Sequence, residues 1–180
     1  MKKKTKWLLA IAALILLALL AFVAAGPWLA INGIRNVVAS GNYGELWRFV
    51  DFDRLRENMR PQIQQRIASG IVERARPGMA SDALSGLASK ISEPAIDAMV
   101  SPAGVATLLR GTALARQITG DRDADGKPRP VDPLKGAKTG YVSPSLFTAT
   151  VQNAEGQPVV FEFSRTGLAW KLTGIDLPED

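Results

Sequence analysis

LFTATVQNAEGQPVVFEFSRTGLAWKLTGIDL, residues Leu146–Leu177, decides the fold class. Phe147, Ala149 and Val151 alternate with polar neighbours, and so do Val159, Phe161 and Phe163, with Glu162 and Ser164 on the opposite side. A period of two gives each strand one apolar face. Asn153–Gly156 and Thr166–Gly167 are turns. Trp170 and Leu172 continue the alternation, but Ile175 and Leu177 fall one residue out of phase, so a bulge is expected near Gly174. The stretch predicts a three-stranded antiparallel meander whose apolar side needs helices to cover it, an α+β arrangement.

Upstream, residues 121–140 hold four Asp, three Pro and three Gly with few apolar residues, which reads as a loop. Before that loop the period lengthens to that of a helix. Trp28, Ile31, Ile34, Val37 and Val38 share a face, and Gly41 can end the run. Tyr43, Leu46, Trp47 and Val50 form a short second piece. Asp51 and Asp53 are both possible N-caps for a helix in which Leu55, Met59, Ile63, Ile67 and Ile71 recur every four residues. Pro61 should kink or divide that helix, because it lacks an N–H. Arg76-Pro77-Gly78 breaks the chain, and Leu84, Leu87 and Ile91 mark another helix. Pro94 and Pro102 suit first helical turns, Ser101 the N-cap before the second, and Val105, Leu108 and Leu109 the buried face that follows.

At the N-terminus, Trp7–Ala25 is 19 residues without a charge. As a helix it is about 28 Å long, against a hydrocarbon core of about 30 Å. Lys2, Lys3, Lys4 and Lys6 precede it, and only Arg35 follows within the next 15 residues. The positive-inside rule then leaves the N-terminus in the cytoplasm and the rest beyond the membrane. A cleaved signal peptide is the rival: Val23 and Ala25 make a passable cleavage site before Gly26, but the apolar run exceeds the usual length of about 7–15 residues. The expectation is a retained, single-pass signal-anchor with the C-terminal domain beyond the membrane. Residues 1–26 are then the cytoplasmic lysines and anchor, 27–120 the helical part of one exported domain, 121–140 its loop, and 141–180 its meander.

Composition narrows the chemistry. Once the four N-terminal lysines are set aside, the other 18 of the 22 basic residues face 17 acidic ones. The exported part is therefore nearly neutral, and a nucleic-acid partner is not expected. The chain has no Cys and no His. That removes disulfides, thiol catalysis, thiolate metal sites, the commonest general base and the commonest metal ligand.

Several stretches resemble a proteobacterial, membrane-anchored family, domain of unknown function twenty-nine thirty-nine. They are Gly41-Asn42-Tyr43, Leu46 and Val50-Asp51-Phe52 within Pro27–Ile63; Ala98-Met-Val-Ser-Pro-Ala-Gly104; Tyr141-Val-Ser-Pro144; and the ending Trp170-x-Leu172 with Leu177-Pro178. The resemblance implies an envelope protein, anchored in a bacterial inner membrane with its C-terminal domain in the periplasm, whose helices and meander are similar to nuclear-transport-factor-like and cystatin-like α+β folds. It brings no catalytic residues with it.

Few motifs carry chemistry. Asp121, Asp123 and Asp125, followed by Gly126, match the start of a calcium loop, with Asp132 at position 12. That place usually holds a bidentate Glu, and Pro128 and Pro130 stand where a second helix should begin, so a solvated loop is the expectation and no metal. Glu162 and Asp176 could form an acid/base pair if a pocket opened beside them, although carboxylates on the wet face of a sheet are commoner. Seven arginines from Arg48 to Arg76, against four acids, suit either anionic headgroups or the solvated face of a helix, and the second is the ordinary case. Trp170, Phe161, Phe163 and Tyr43 read as core. G-x-S-x-G, S-x-x-K, G-x-G-x-x-G and Walker motifs are absent. The leading expectation is a non-catalytic binding or assembly module without a cofactor, meeting a protein or small-molecule partner. Its alternatives are a small enzyme in the same fold and a calcium-stabilised envelope protein.

Overall fold

A computed structural model describes residues 2–74, 93–118, 134, 136–153 and 155–178. The first element, α1 (Lys2–Ser40), runs unbroken from the lysines through the apolar run and on across Gly26 and Pro27. It stops at Gly41, whose φ of 74° is the left-handed conformation that ends helices. A 3-10 turn (Tyr43–Arg48) leads to α2 (Phe52–Arg74). Asp51 is the N-cap of α2: its Oδ1 accepts the Arg54 N–H at 3.2 Å.

Pro61 does not divide α2. Pro61 and Glu57 both lie on the exposed side, so the Glu57 carbonyl that Pro61 cannot bond faces water. Residues 93–99 are helical, and α3 (Pro102–Ile118) follows. Ser101 Oγ accepts the Gly104 N–H at 3.0 Å and so caps α3, with Pro102 in its first turn. A Cβ on Gly104 would lie 2.1 Å from the Ala98 carbonyl oxygen, so the tight junction requires glycine there. This accounts for the Ser-Pro-Ala-Gly stretch as structural punctuation. Leu84, Leu87, Ile91 and the calcium-loop residues Asp121, Asp123, Asp125 and Asp132 lie outside the described residues.

The sheet has four antiparallel strands, not three, in the order β1 (Lys138–Ser143), β2 (Leu146–Gln152), β3 (Pro158–Thr166), β4 (Ala169–Asp176). The added strand, β1, pairs Tyr141 with Phe147 and Thr139 with Ala149. As an edge strand with one neighbour, it buries none of its side chains fully, and so KTGYVS shows no alternation to read. The bulge falls at Thr173, one residue from its expected place: Glu162 pairs with Gly174 and Phe163 with Leu172. That extra residue returns Ile175 to the buried face.

One core joins the layers. Ile34 and Val38 of α1, Leu55 and Met59 of α2, and Val105 and Leu109 of α3 close over Phe147, Phe161, Phe163, Leu172 and Ile175. Trp47, in the same short piece as the buried Leu46 and Val50, is 62% exposed. The β4 edge is sealed twice. Leu172 exchanges backbone bonds with Phe49 and Asp51, at 2.8 and 2.9 Å. Farther along, Asn58, Gln62 and Arg66, one helical turn apart, donate to the carbonyls of Thr173, Ile175 and Pro178. Gln62 Oε1 also accepts the Leu177 N–H. These bonds, with ion pairs from Arg56 to Asp97 and Arg60 to Glu93, give five polar side chains of α2 partners elsewhere in the fold.

Candidate functional site

The most unusual polar arrangement is the joint between α1 and the sheet. In a helix the N–H of residue 27 would bond the carbonyl of Val23, but Pro27 has none. Unlike most helix prolines, Pro27 is buried, so water cannot serve that carbonyl freely. Trp170 serves it instead: its Nε1–H donates to Val23 O at 3.0 Å. The Tyr141 hydroxyl donates to the next carbonyl, Ala24 O.

Gly26 lets the indole in. A Cβ there would lie 2.2 Å from Trp170 Cδ1. Around these bonds Trp28, Tyr141, Phe147 and Trp170 make edge-on ring contacts with centroids 4.8–5.9 Å apart. Such contacts are worth about 0.5–1.5 kcal/mol each beyond their burial. Burial raises the Tyr141 phenol above its usual pKa, against the pull of the Arg165 charge, so at neutral pH it remains a hydroxyl donor.

Burial along α1 changes at this joint. Trp7–Phe22 are exposed throughout, and Val23 is the first residue that the domain covers. The N-terminal helix is long and apolar enough to cross a membrane, which suits an anchor or a signal sequence.

The structure places the other sequence candidates as follows. Glu162 and Asp176 lie near one another on β3 and β4, and burial, with the Asp176 charge second, raises the Glu162 carboxyl above its ordinary value. Asp176 Oδ1 accepts a bond from Gln62 at 3.3 Å, while Glu162 packs over Gly174, whose Cβ would sit 2.7 Å from Oε2. Asp176 is thus tied to α2, and Glu162 lies against the β4 backbone at Gly174. Phe161, Phe163 and Trp170 are core, and Tyr43 is half-buried beneath the Arg110 guanidinium at 5.0 Å. Sequence reading missed the pairing of Trp170 and Tyr141 with α1. The available signal was Pro27 itself, a helix proline seated at the end of an apolar span.

No curated protein and no solved structure matches the chain. A family model does match, over residues 16–108, just over half of the chain. It takes in the second half of the apolar run, the joint on α1, α2 and the Ser101 cap, and leaves the sheet outside. On that match the chain belongs to the family described as protein of unknown function (DUF2939).

Proposed function

We propose that this is a single-pass protein of a bacterial inner membrane, N-terminus in the cytoplasm, presenting a non-catalytic binding or assembly module in the periplasm. The observation that carries the reading is the bonding of Trp170 and Tyr141 to the carbonyls of Val23 and Ala24. A leader peptide has no reason to complete the fold of the domain it delivers. Cleavage before Gly26 would remove both acceptors and uncover the Trp170 indole. The lysines before the apolar run and the near-neutral exported part support the orientation. The helices over a sequential antiparallel sheet are in keeping with a nuclear-transport-factor-like layout, which belongs to this proposal.

The test is intact-mass analysis of the mature protein, with a periplasm-dependent reporter fused after Asp180. Retention of Lys2 and an active reporter are expected. A mature chain beginning at Gly26, or activity only from a cytoplasmic reporter, overturns the reading. A small enzyme is the second reading, favoured by the raised Glu162 carboxyl beside Asp176. The bond from Gln62 to Asp176 and the packing of Glu162 over Gly174 weigh against it.

A further inference from the structure

Three contacts fix which way the sheet points along α1. Trp170 lies beside Gly26, while Phe49, whose carbonyl bonds the Leu172 N–H, lies beside Gly33. Passing up β4 from Trp170 therefore means passing up α1, away from the apolar span. The β3–β4 turn comes before Trp170, and so it points back toward that span. In an antiparallel sheet of sequential strands, the β1–β2 turn lies at the same end.

Each tip carries an exposed apolar side chain at or beside it: Leu168 in the β3–β4 turn is 59% accessible, and Val142, next to the end of β1, is 64%. Cations stand behind them. Arg165 pairs across the strands with Trp170 and donates to Gly167 O, and Arg54 reaches Thr166 Oγ1. None of the ion pairs among the described residues engages Arg165, and Arg54 holds Asp51 only at 3.9 Å.

Length supplies an independent argument. The uncovered apolar helix, Trp7–Phe22, spans about 24 Å, short of a hydrocarbon core of about 30 Å. With the lysines held at the inner headgroups, the domain end is drawn down to the outer boundary of the bilayer.

We propose that these two turn tips rest in the headgroup layer of the membrane that α1 crosses, with Leu168 and Val142 at the acyl boundary and Arg165 and Arg54 beside anionic lipid. The inference rests on α1 being a retained anchor. It makes the domain a fixture of the membrane surface and not a body swinging on a tether. Its free surface is then the opposite end, around the β2–β3 turn.

The chain has no cysteine, so a single introduced one is a unique labelling site. Full-length Leu168→Cys, Glu155→Cys and Leu16→Cys would each carry a nitroxide in vesicles of phosphatidylcholine with phosphatidylglycerol. Collisions with dissolved oxygen and with a water-borne nickel chelate would then be measured. The Leu168 label should show several-fold fewer nickel collisions than the Glu155 label, together with high oxygen collisions. A label as open to nickel at 168 as at 155, with Leu16 immersed, overturns the docking and leaves the anchor standing. Low collision rates with both reagents at 168 mean burial against protein and overturn it too. Leu16 open to nickel overturns the anchor reading as well as the docking.

Discussion

Pro27 and Pro61 stand inside α1 and α2, and each deprives a carbonyl four residues back of its helical bond. At Pro61 the orphan is Glu57 O, on an exposed face open to solvent. At Pro27 the orphan is Val23 O, and another element of the fold completes it through the Trp170 indole. The same residue type is thus a local defect in one helix and a socket in the other. The difference lies in what surrounds the orphaned carbonyl: solvent at Glu57, and the Trp170 indole admitted by Gly26 at Val23.

Trp170→Ala should sharpen the contrast most. It removes a nearly buried ring and the donor together, and the expected loss is about 3–5 kcal/mol by denaturant unfolding in detergent. A loss below about 1 kcal/mol would mean that the joint contributes little to the fold.

The prolines should then respond unequally to alanine. At Pro61 the helical bond is regained at no packing cost, so Pro61→Ala should stabilise by about 1–3 kcal/mol. At Pro27 the carbonyl is already served and the ring is buried, so Pro27→Ala should gain less than about 1 kcal/mol or lose stability. Equal responses in thermal melts would erase the distinction drawn here.

A smaller effect isolates the hydrogen bond. Trp170→Phe should cost about 1–2 kcal/mol with Pro27 present, partly through the unsatisfied Val23 carbonyl. In a Pro27→Ala background the helix supplies its own N–H, so part of that cost should vanish. Double-mutant coupling indistinguishable from zero would show that Pro27 and Trp170 act independently.

The smallest effect lies at the other end of β4. Glu162 is held above its ordinary pKa, so the folded state favours its neutral form. That preference is fully present below the unfolded pKa and is lost as pH rises through the folded one. Glu162→Gln should therefore raise Tm more at pH 7 than at pH 4. The reverse order would place the carboxyl in a favourable ionic environment.

The residues that were legible in sequence are those whose role is local. Gly41 as a helix stop, Asp51 and Ser101 as caps, and the alternation of Phe147, Phe161 and Phe163 all follow from spacing and short-range bonding. The Thr173 bulge was visible as a phase error. By contrast, β1 has no pattern of its own and becomes a strand by pairing with β2. Trp47 has the spacing of a core residue and is exposed. The α2 row Asn58, Gln62 and Arg66 looks like an ordinary wet face until β4 is placed beside it.

The amino-acid sequence by itself determined the apolar span, the α+β order, the turns, and the absence of thiol and imidazole chemistry, because periodicity, charge and composition act within a few residues. The tertiary structure alone decided that α1 continues through Pro27 into the core, that Trp170 and Tyr141 fasten it there, and that one end of the sheet points back along the apolar helix. Those features join residues more than 100 positions apart, and a carbonyl orphaned at Val23 carries no mark of the side chain, 147 positions on, that will bond it.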